Sequence, residues 1–300
     1  MKRFLLKYSP EWALHLAKQL RKRFRRKELQ RQAATGGMDA AALEKAFRDI
    51  GIREGDALLV HSSLSKIGYV QGGSETVIRS LMHVLGPEGT LLMPSFPAAG
   101  RNKDYLESEP VFDVRNTPSA MGIISETFRK MPGVKRSLHP TDAVCAAGPL
   151  AGFFTASHFG RITPYDEASP FRKLAERRGK ILMLGTTLNG AGTSLHTLED
   201  AVDFRYPVYD EKIYEAVLID ERGKRHSMKT KVHNPQYSAR RNCDALKPIF
   251  EKEGALKNGC IGQAASMLID AHKMLEVMLR YYREHGVTMY TPYGNKNQLA

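Results

Sequence analysis

An α/β protein is predicted by three features of the sequence. Short apolar runs bounded by glycine read as buried strands, longer stretches of helical period separate them, and residues 57–93 set them in the order strand, loop, helix, strand. In that unit Ala57–His61 is a strand, Ser62–Ser74 a loop rich in glycine and small hydroxyl residues, Glu75–Leu85 a helix and Thr90–Met93 a second strand. With 300 residues and 42% hydrophobic content, the chain can bury a substantial core without staples.

Taken in order, Ser9-Pro10-Glu11 supplies a capping hydroxyl, a proline suited to the first helical turn and an acid at the positive dipole end. A helix from Pro10 towards Gln32 is predicted. Trp12, Ala13, Leu16, Ala17, Leu20 and Phe24 fall on one side and most of the Lys and Arg elsewhere, so this N-terminal helix is basic and amphipathic. It suits an anionic membrane surface or an acidic partner, and equally a stripe packed on the protein's own body or on a second subunit. Ala33–Gly37 reads as a linker, which divides the chain into residues 1–37 and a globular unit, 38–300. A helix over Ala40–Ile50 precedes the first strand. Residues 98–118 read as an irregular surface excursion, a helix over Ala120–Lys130 stops at Met131-Pro132-Gly133, and Cys145–Gly148 is a strand end. Phe171–Arg178 returns to helix before the buried strand Ile181–Gly185, whose exit through Asn189-Gly190-Ala191-Gly192 leads to a helix capped by Thr193 or Ser194. Tyr214–Ile219 and Arg225–Val232 form a hairpin around Asp220–Gly223. Asp244–Glu253 is a helix, Gly259–Ile269 one late strand, and Ala271–His285 a closing amphipathic helix.

The net charge of +13 suggests a nucleic-acid binder until it is located. Residues 1–27 hold ten Lys or Arg against the single acid Glu11, so the body is nearly balanced and nucleic acid is not an expected partner. Cys145, Cys243 and Cys260 lie far apart, with no CxxC pair and no histidine at metal-ligand spacing, which argues against a disulfide framework or a metal site. No apolar run approaches the ~20 residues that cross a bilayer, and the N-terminus lacks the pattern of a signal peptide. A cytoplasmic setting is expected, with the basic helix suited to peripheral attachment at the inner membrane surface.

The most informative chemistry lies in Thr193–Asp200. His196 stands one helical turn before Glu199 and Asp200, so either carboxylate can reach the imidazole, fix its tautomer and favour its protonated form. Such a histidine is an oriented general base or a helix-start residue that merely bonds its neighbours, and the spacing alone does not decide. The Ser62–Ser74 loop, followed by a helix N-terminus, reads as a phosphate site or as an ordinary connection; it spells neither a Walker loop nor a dinucleotide fingerprint. Arg136-Ser137-Leu138-His139-Pro140 joins a cation, a hydroxyl and a histidine held extended by the following proline.

Six motifs recur in order: His61-Ser62-Ser63-Leu64-Ser65 with Gly72-Gly73, Gly89–Pro94, Thr117–Gly122, Arg136–Pro140, Ser169-Pro170 and Thr193–His196. Together they resemble the aminoglycoside 3-N-acetyltransferase family, from about Met38 to about His285. The resemblance implies a three-layer α/β/α fold with a mixed sheet, acetyl-coenzyme A as co-substrate, no metal, and an amino sugar as the small-molecule substrate. Carried over, it places the catalytic histidine at His196, its supporting acid at Glu199, and His61, Ser62, Ser63, Leu64 and Ser65 in the coenzyme site. Ser74, Arg136, Ser137 and Thr193 are the further coenzyme contacts expected, with the phosphates near Ser63, Ser74 or Arg136. An ammonium has no lone pair, so the acceptor must lose a proton to attack a thioester. Imidazole, with a reference pKa of ~6.5, suits that task. With no activated cysteine evident, direct transfer in a ternary complex is expected, with backbone N–H groups of Ser62–Leu64 as candidate oxyanion donors.

For the acceptor, an aminoglycoside-like polycation is expected to meet Asp142, Asp166, Glu167, Glu199, Asp200 and Asp203, with His139 beside them. The basic N-terminal helix points instead to a nucleotide- or lipid-linked amino sugar of a surface-polysaccharide precursor. A non-catalytic membrane- or nucleic-acid-associated binding protein is the alternative of a different class, and the presence of His196, Glu199 and Ser62–Ser65 argues against it.

Overall fold

The computed structural model describes Gln19, Arg31, Ala33, Ala34 and residues 36–294. The rest of the predicted N-terminal helix lies outside the described residues. The strands are β1 (Ala57–Ser62), β2 (Thr90–Pro94), β3 (Val111–Asp113), β4 (Lys135–Arg136), β5 (Val144–Ala147), β6 (Lys180–Leu184), β7 (Tyr214–Ile219), β8 (Arg225–Thr230), β9 (Leu256–Ile261) and β10 (Ala264–Asp270). Seven form a mixed sheet in the order β4-β5-β2-β1-β6-β10-β9. Its centre, β2-β1-β6, is parallel, and antiparallel pairs close both flanks.

Successive side chains of a strand point to opposite faces, and β1 shows why both faces must be covered. Leu58 and Val60 enter one core with residues of the helices Ala40–Ile50, Gly73–Leu85 and Ile123–Arg129. Ala57 and Leu59 enter the other with residues of Pro170–Glu176 and Ala271–His285. The result is a three-layer α/β/α body. Leu58 and Leu59 are almost wholly buried, and each such side chain contributes about 1.5–3 kcal/mol through burial. Side-chain oxygens of Asp39 and Asp270 cap the helices Ala40–Ile50 and Ala271–His285 by accepting from Ala42 N and Lys273 N.

Three readings of the sequence need correction. Gly259–Ile269 is two antiparallel strands, because the chain reverses at Gly262-Gln263, where Gly262 adopts a φ of 57°. The excursion over 98–118 contains the helix Asn102–Glu107 and β3, which pairs parallel with β7 to make a second sheet, β3-β7-β8. Three residues are too few to show alternation. Asp244–Glu253 divides into a 3-10 turn, Cys243–Leu246, and a helix, Lys247–Lys252, with Pro248 in its first turn.

This connectivity creates a crevice. From β1 the chain crosses one face through Gly73–Leu85, and from β6 it crosses the other through residues 188–201, whose Leu188, Leu195 and Leu198 join the opposite core. Open α/β sheets bind ligands where neighbouring parallel strands part in this way, at their C-terminal ends.

Candidate active site

The end of β1 serves two recesses. Alternation carries His61 to the face of Ala57 and Leu59 and Ser62 to the other. His61 lines a cavity of about 500 Å³, and Ser62–Ser65 line a separate cleft of about 440 Å³ with Gly73 and Gly122–Ile124. Across the cavity, Thr193 Oγ1 lies 3.3 Å from His61 Nε2. Burial holds His61 down to about 4, so it is neutral at neutral pH.

His196 is presented by a 3-10 turn, Thr193–His196, that runs into a short α-helix, Thr197–Ala201, where the sequence predicts one helix. The turn keeps His196 and Glu199 on one side. His196 Nδ1 lies 2.9 Å from Glu199 Oε1. The other carboxylate oxygen takes His233 Nε2 at 2.6 Å, and Tyr290 donates its hydroxyl to Oε1 at 2.6 Å. Burial by itself would raise the pKa of Glu199, but the imidazoles of His196 and His233 outweigh it and hold the carboxyl well below the usual range. An ionised carboxylate can only accept, so His196 carries its proton on Nδ1 and leaves the Nε2 lone pair on the cavity side. Burial pushes His196 down to about 4 against the opposing pull of Glu199, which keeps the imidazole neutral at neutral pH. The Tyr165 ring stacks on the imidazole with centroids 4.9 Å apart.

Of the two acids that the spacing offered, Glu199 is therefore the partner. Asp200 accepts from Tyr209 at 3.1 Å, and Tyr209 stacks on His233, so Asp200 supports the second histidine from behind. Glu167 and Asp203 are exposed outside the cavity, and Asp166 binds Ala168 N and Arg161. Asp142 does line it. His139 is fully buried and does not: its Nδ1 accepts from the Asp142 backbone N–H at 3.1 Å, and its ring stacks on His158. Ser137 is equally buried, bonded to His158 Nδ1 and to Val144 N. Ser74 ties two helices together through Thr127 at 2.9 Å.

The sequence places Arg136 among the candidates for the coenzyme phosphates, but its guanidinium points into the protein. It donates to Thr117 O at 2.6 Å, to Val114 O and to Ser95 O, and it lies 4.6 Å over the Phe112 ring. Burial lowers it to about 10, so it stays charged at neutral pH. In the cleft, the N–H of Ser63 is already bound to Leu184 O, which leaves that of Leu64 as the loop's candidate oxyanion donor, and the buried Ser62 hydroxyl has no partner among the described residues.

Sequence reasoning missed His233, Tyr290 and Arg241, whose Nη1 lies 2.8 Å from His196 Nε2 on the cavity wall. They lie 34 to 91 residues from Glu199 or 45 from His196, in loops without regular period, so no local pattern marks them. His196, Glu199 and His233 also form the metal-ligand grouping found among the described residues, with ligand atoms within 4.8 Å of one another. The same atoms are consumed by the hydrogen bonds just described, so a cation would have to dismantle the network.

The sequence profile of the family described as aminoglycoside 3-N-acetyltransferase matches residues 59–283. The aminoglycoside N(3)-acetyltransferase III of Salmonella sp is 29% identical over 273 residues, covering 84% of this chain and 94% of that protein. Among solved structures, aminoglycoside acetyltransferase AAC(3)-Xa superposes with a TM-score of 0.72 at 26% identity, covering 88% of this chain and 98% of that one. The AAC-IIIb binary complex with CoASH gives 0.70 at 26% identity, covering 82% and 97%. With helices on both faces of a mixed sheet, His196 held by Glu199, and the family profile matched over most of its length, the chain belongs to the aminoglycoside 3-N-acetyltransferase family and is an acyltransferase.

Proposed function

We propose that the chain transfers acetyl from acetyl-coenzyme A to an amino group of an amino sugar, with His196 as general base and direct transfer in a ternary complex. The observation that carries this reading is the 2.9 Å bond between His196 Nδ1 and Glu199 Oε1, which leaves Nε2 as the basic atom of the cavity.

The Ser62–Ser65 cleft fits the coenzyme on chemical grounds. It combines an unpartnered buried hydroxyl, the Leu64 N–H and the start of the 13-residue helix Gly73–Leu85, all suited to phosphate and carbonyl oxygens. Coenzyme-bound AAC-IIIb supports the same donor here. The coenzyme supplies an acetyl thioester: the amine nitrogen bonds to the acetyl carbon, the carbon–sulfur bond breaks with its electron pair leaving on sulfur as the coenzyme thiolate, and the amine proton passes to Nε2 of His196, from which the thiolate takes a proton to leave as the thiol. Glu199 then stabilises the imidazolium and keeps it oriented, with His233 and Tyr290 holding the carboxylate in place. A positioned base contributes about 10²–10⁴-fold and an oxyanion donor about 10²–10³-fold.

Relatives of known structure include AAC-VIa bound to sisomicin, which supports an amino-sugar acceptor. The alternative acceptor, a nucleotide- or lipid-linked amino sugar, gains support because Asp142 is the sole carboxylate on the cavity wall among the described residues. Thiol release from acetyl-coenzyme A across a panel of amino sugars tests the reading. Release that depends on an amine and on His196 is expected, whereas coenzyme binding without any transfer would favour a non-catalytic binding protein.

A further inference from the structure

The charge of the acceptor cavity is unlike what a polycation needs. Among the described residues that line it, Arg101 and Arg241 oppose the single carboxylate of Asp142. Asp142 is 2% exposed and already committed: Tyr165 donates to Oδ1 at 2.7 Å, and Thr141 and Asn102 donate to Oδ2 at 2.7 and 3.2 Å. Arg241, by contrast, has no carboxylate partner among the described residues. Its Nε reaches Ser238 O at 3.3 Å, and its Nη1 lies 2.8 Å from His196 Nε2.

That last contact bears on the reaction. Nε2 has one lone pair, and with Nδ1–H given to Glu199 the lone pair is occupied by the guanidinium of Arg241. An amine cannot deliver its proton there until Arg241 leaves. A neutral imidazole is the weaker acceptor for a guanidinium; an oxyanion makes shorter, roughly twice as strong, bidentate bonds.

We propose that the acceptor carries an anionic group, a phosphate or a carboxylate, beside its amine, and that Arg241 recognises that group and by doing so uncovers the base. Binding of the anion draws the guanidinium off Nε2, so the lone pair opens when a correctly charged acceptor is present. Arg101, exposed on the same wall, adds attraction of the same sign. The inference rests on the acetyl-transfer reading of this site and narrows its acceptor class.

Two measurements on the full chain test it. In thiol-release kinetics with acetyl-coenzyme A, glucosamine-6-phosphate or an aminohexuronic acid should exceed glucosamine and kanamycin in kcat/KM by at least about 100-fold, and Arg241→Gln should narrow that preference to within about 3-fold. The two anionic arms separate phosphate from carboxylate. In 15N NMR, with His196→Gln assigning the resonance, inorganic phosphate should shift His196 Nε2 in the wild type and leave it unmoved in Arg241→Gln. Transfer to amines regardless of charge, a preference for kanamycin, or no phosphate-dependent shift in the wild type overturns the inference while the acetyl-transfer reading stands. A persistent Arg241-dependent shift with no transfer to any amine would uphold the anion site and overturn the acetyl-transfer reading instead.

Discussion

His196 Nδ1 and Glu199 Oε1 lie 2.9 Å apart, and the same carboxylate also receives His233 and Tyr290. Three donors converge on one buried anion. The anion therefore fixes the tautomer of His196, and in the proposed reaction it would stabilise the charge of an imidazole that has taken a proton.

Glu199→Gln keeps the shape and removes that charge, and its amide nitrogen would face an N–H of one of the imidazoles. Turnover in the thiol-release assay is expected to fall about 10–100-fold, less than for His196→Ala. A loss larger than that of His196→Ala would reverse the two roles.

Arg136→Ala is expected to act on stability. Removing the guanidinium leaves the buried carbonyls of Ser95 and Val114 and the half-buried carbonyl of Thr117 without their donor, at about 1–3 kcal/mol for each buried group left unsatisfied. Urea unfolding should show a loss of about 3 kcal/mol or more, with the affinity of the folded protein for coenzyme A little changed. Weakened coenzyme binding at unchanged stability would return Arg136 to the phosphate site.

These outcomes mark where the sequence was legible. The strands β1, β2 and β6 and the helix Ala271–His285 could be read because long apolar runs and helical period are local properties. The same locality gave the pairing of His196 with Glu199, three residues on. Whether Arg136 meets a ligand or its own backbone depends on loops folded over it from Ser95 and Thr117, and spacing carries no trace of that. The acids Asp166, Glu167 and Asp203 were grouped by nearness in sequence, yet the turn that displays His196 leaves them outside the cavity. His233 and Arg241 reach the site only because the chain beyond the β7–β8 hairpin returns to it.

Buried neutral histidines make stability depend on pH. His61, His158 and His196 are each pushed down to about 4 by burial, and His139 is driven well below its ordinary value for the same reason. Unfolded imidazoles titrate near 6.5, so from there down to about 4 the unfolded chain binds more protons and the fold weakens as pH falls. Asp200, raised to about 6 by burial, opposes this between its unfolded value and about 6, and Asp142 and Asp166, also raised by burial, act in the same direction, but these three carboxyls face four imidazoles. Each of the three imidazoles at about 4 should cost on the order of 2 kcal/mol at pH 5. The urea midpoint should accordingly drop between about pH 7.5 and about pH 5. An unchanged midpoint would mean that these imidazoles are not held neutral.

The role of His196 as the base of acetyl transfer is tested most directly by the turnover of His196→Ala, measured beside its affinity for coenzyme A. The imidazole lines the cavity and the Ser62–Ser65 loop lines the other cleft, so calorimetry should give a coenzyme Kd within about 3-fold of wild type while kcat falls at least about 100-fold. A variant that binds coenzyme normally and turns over within a few-fold of wild type would contradict the account.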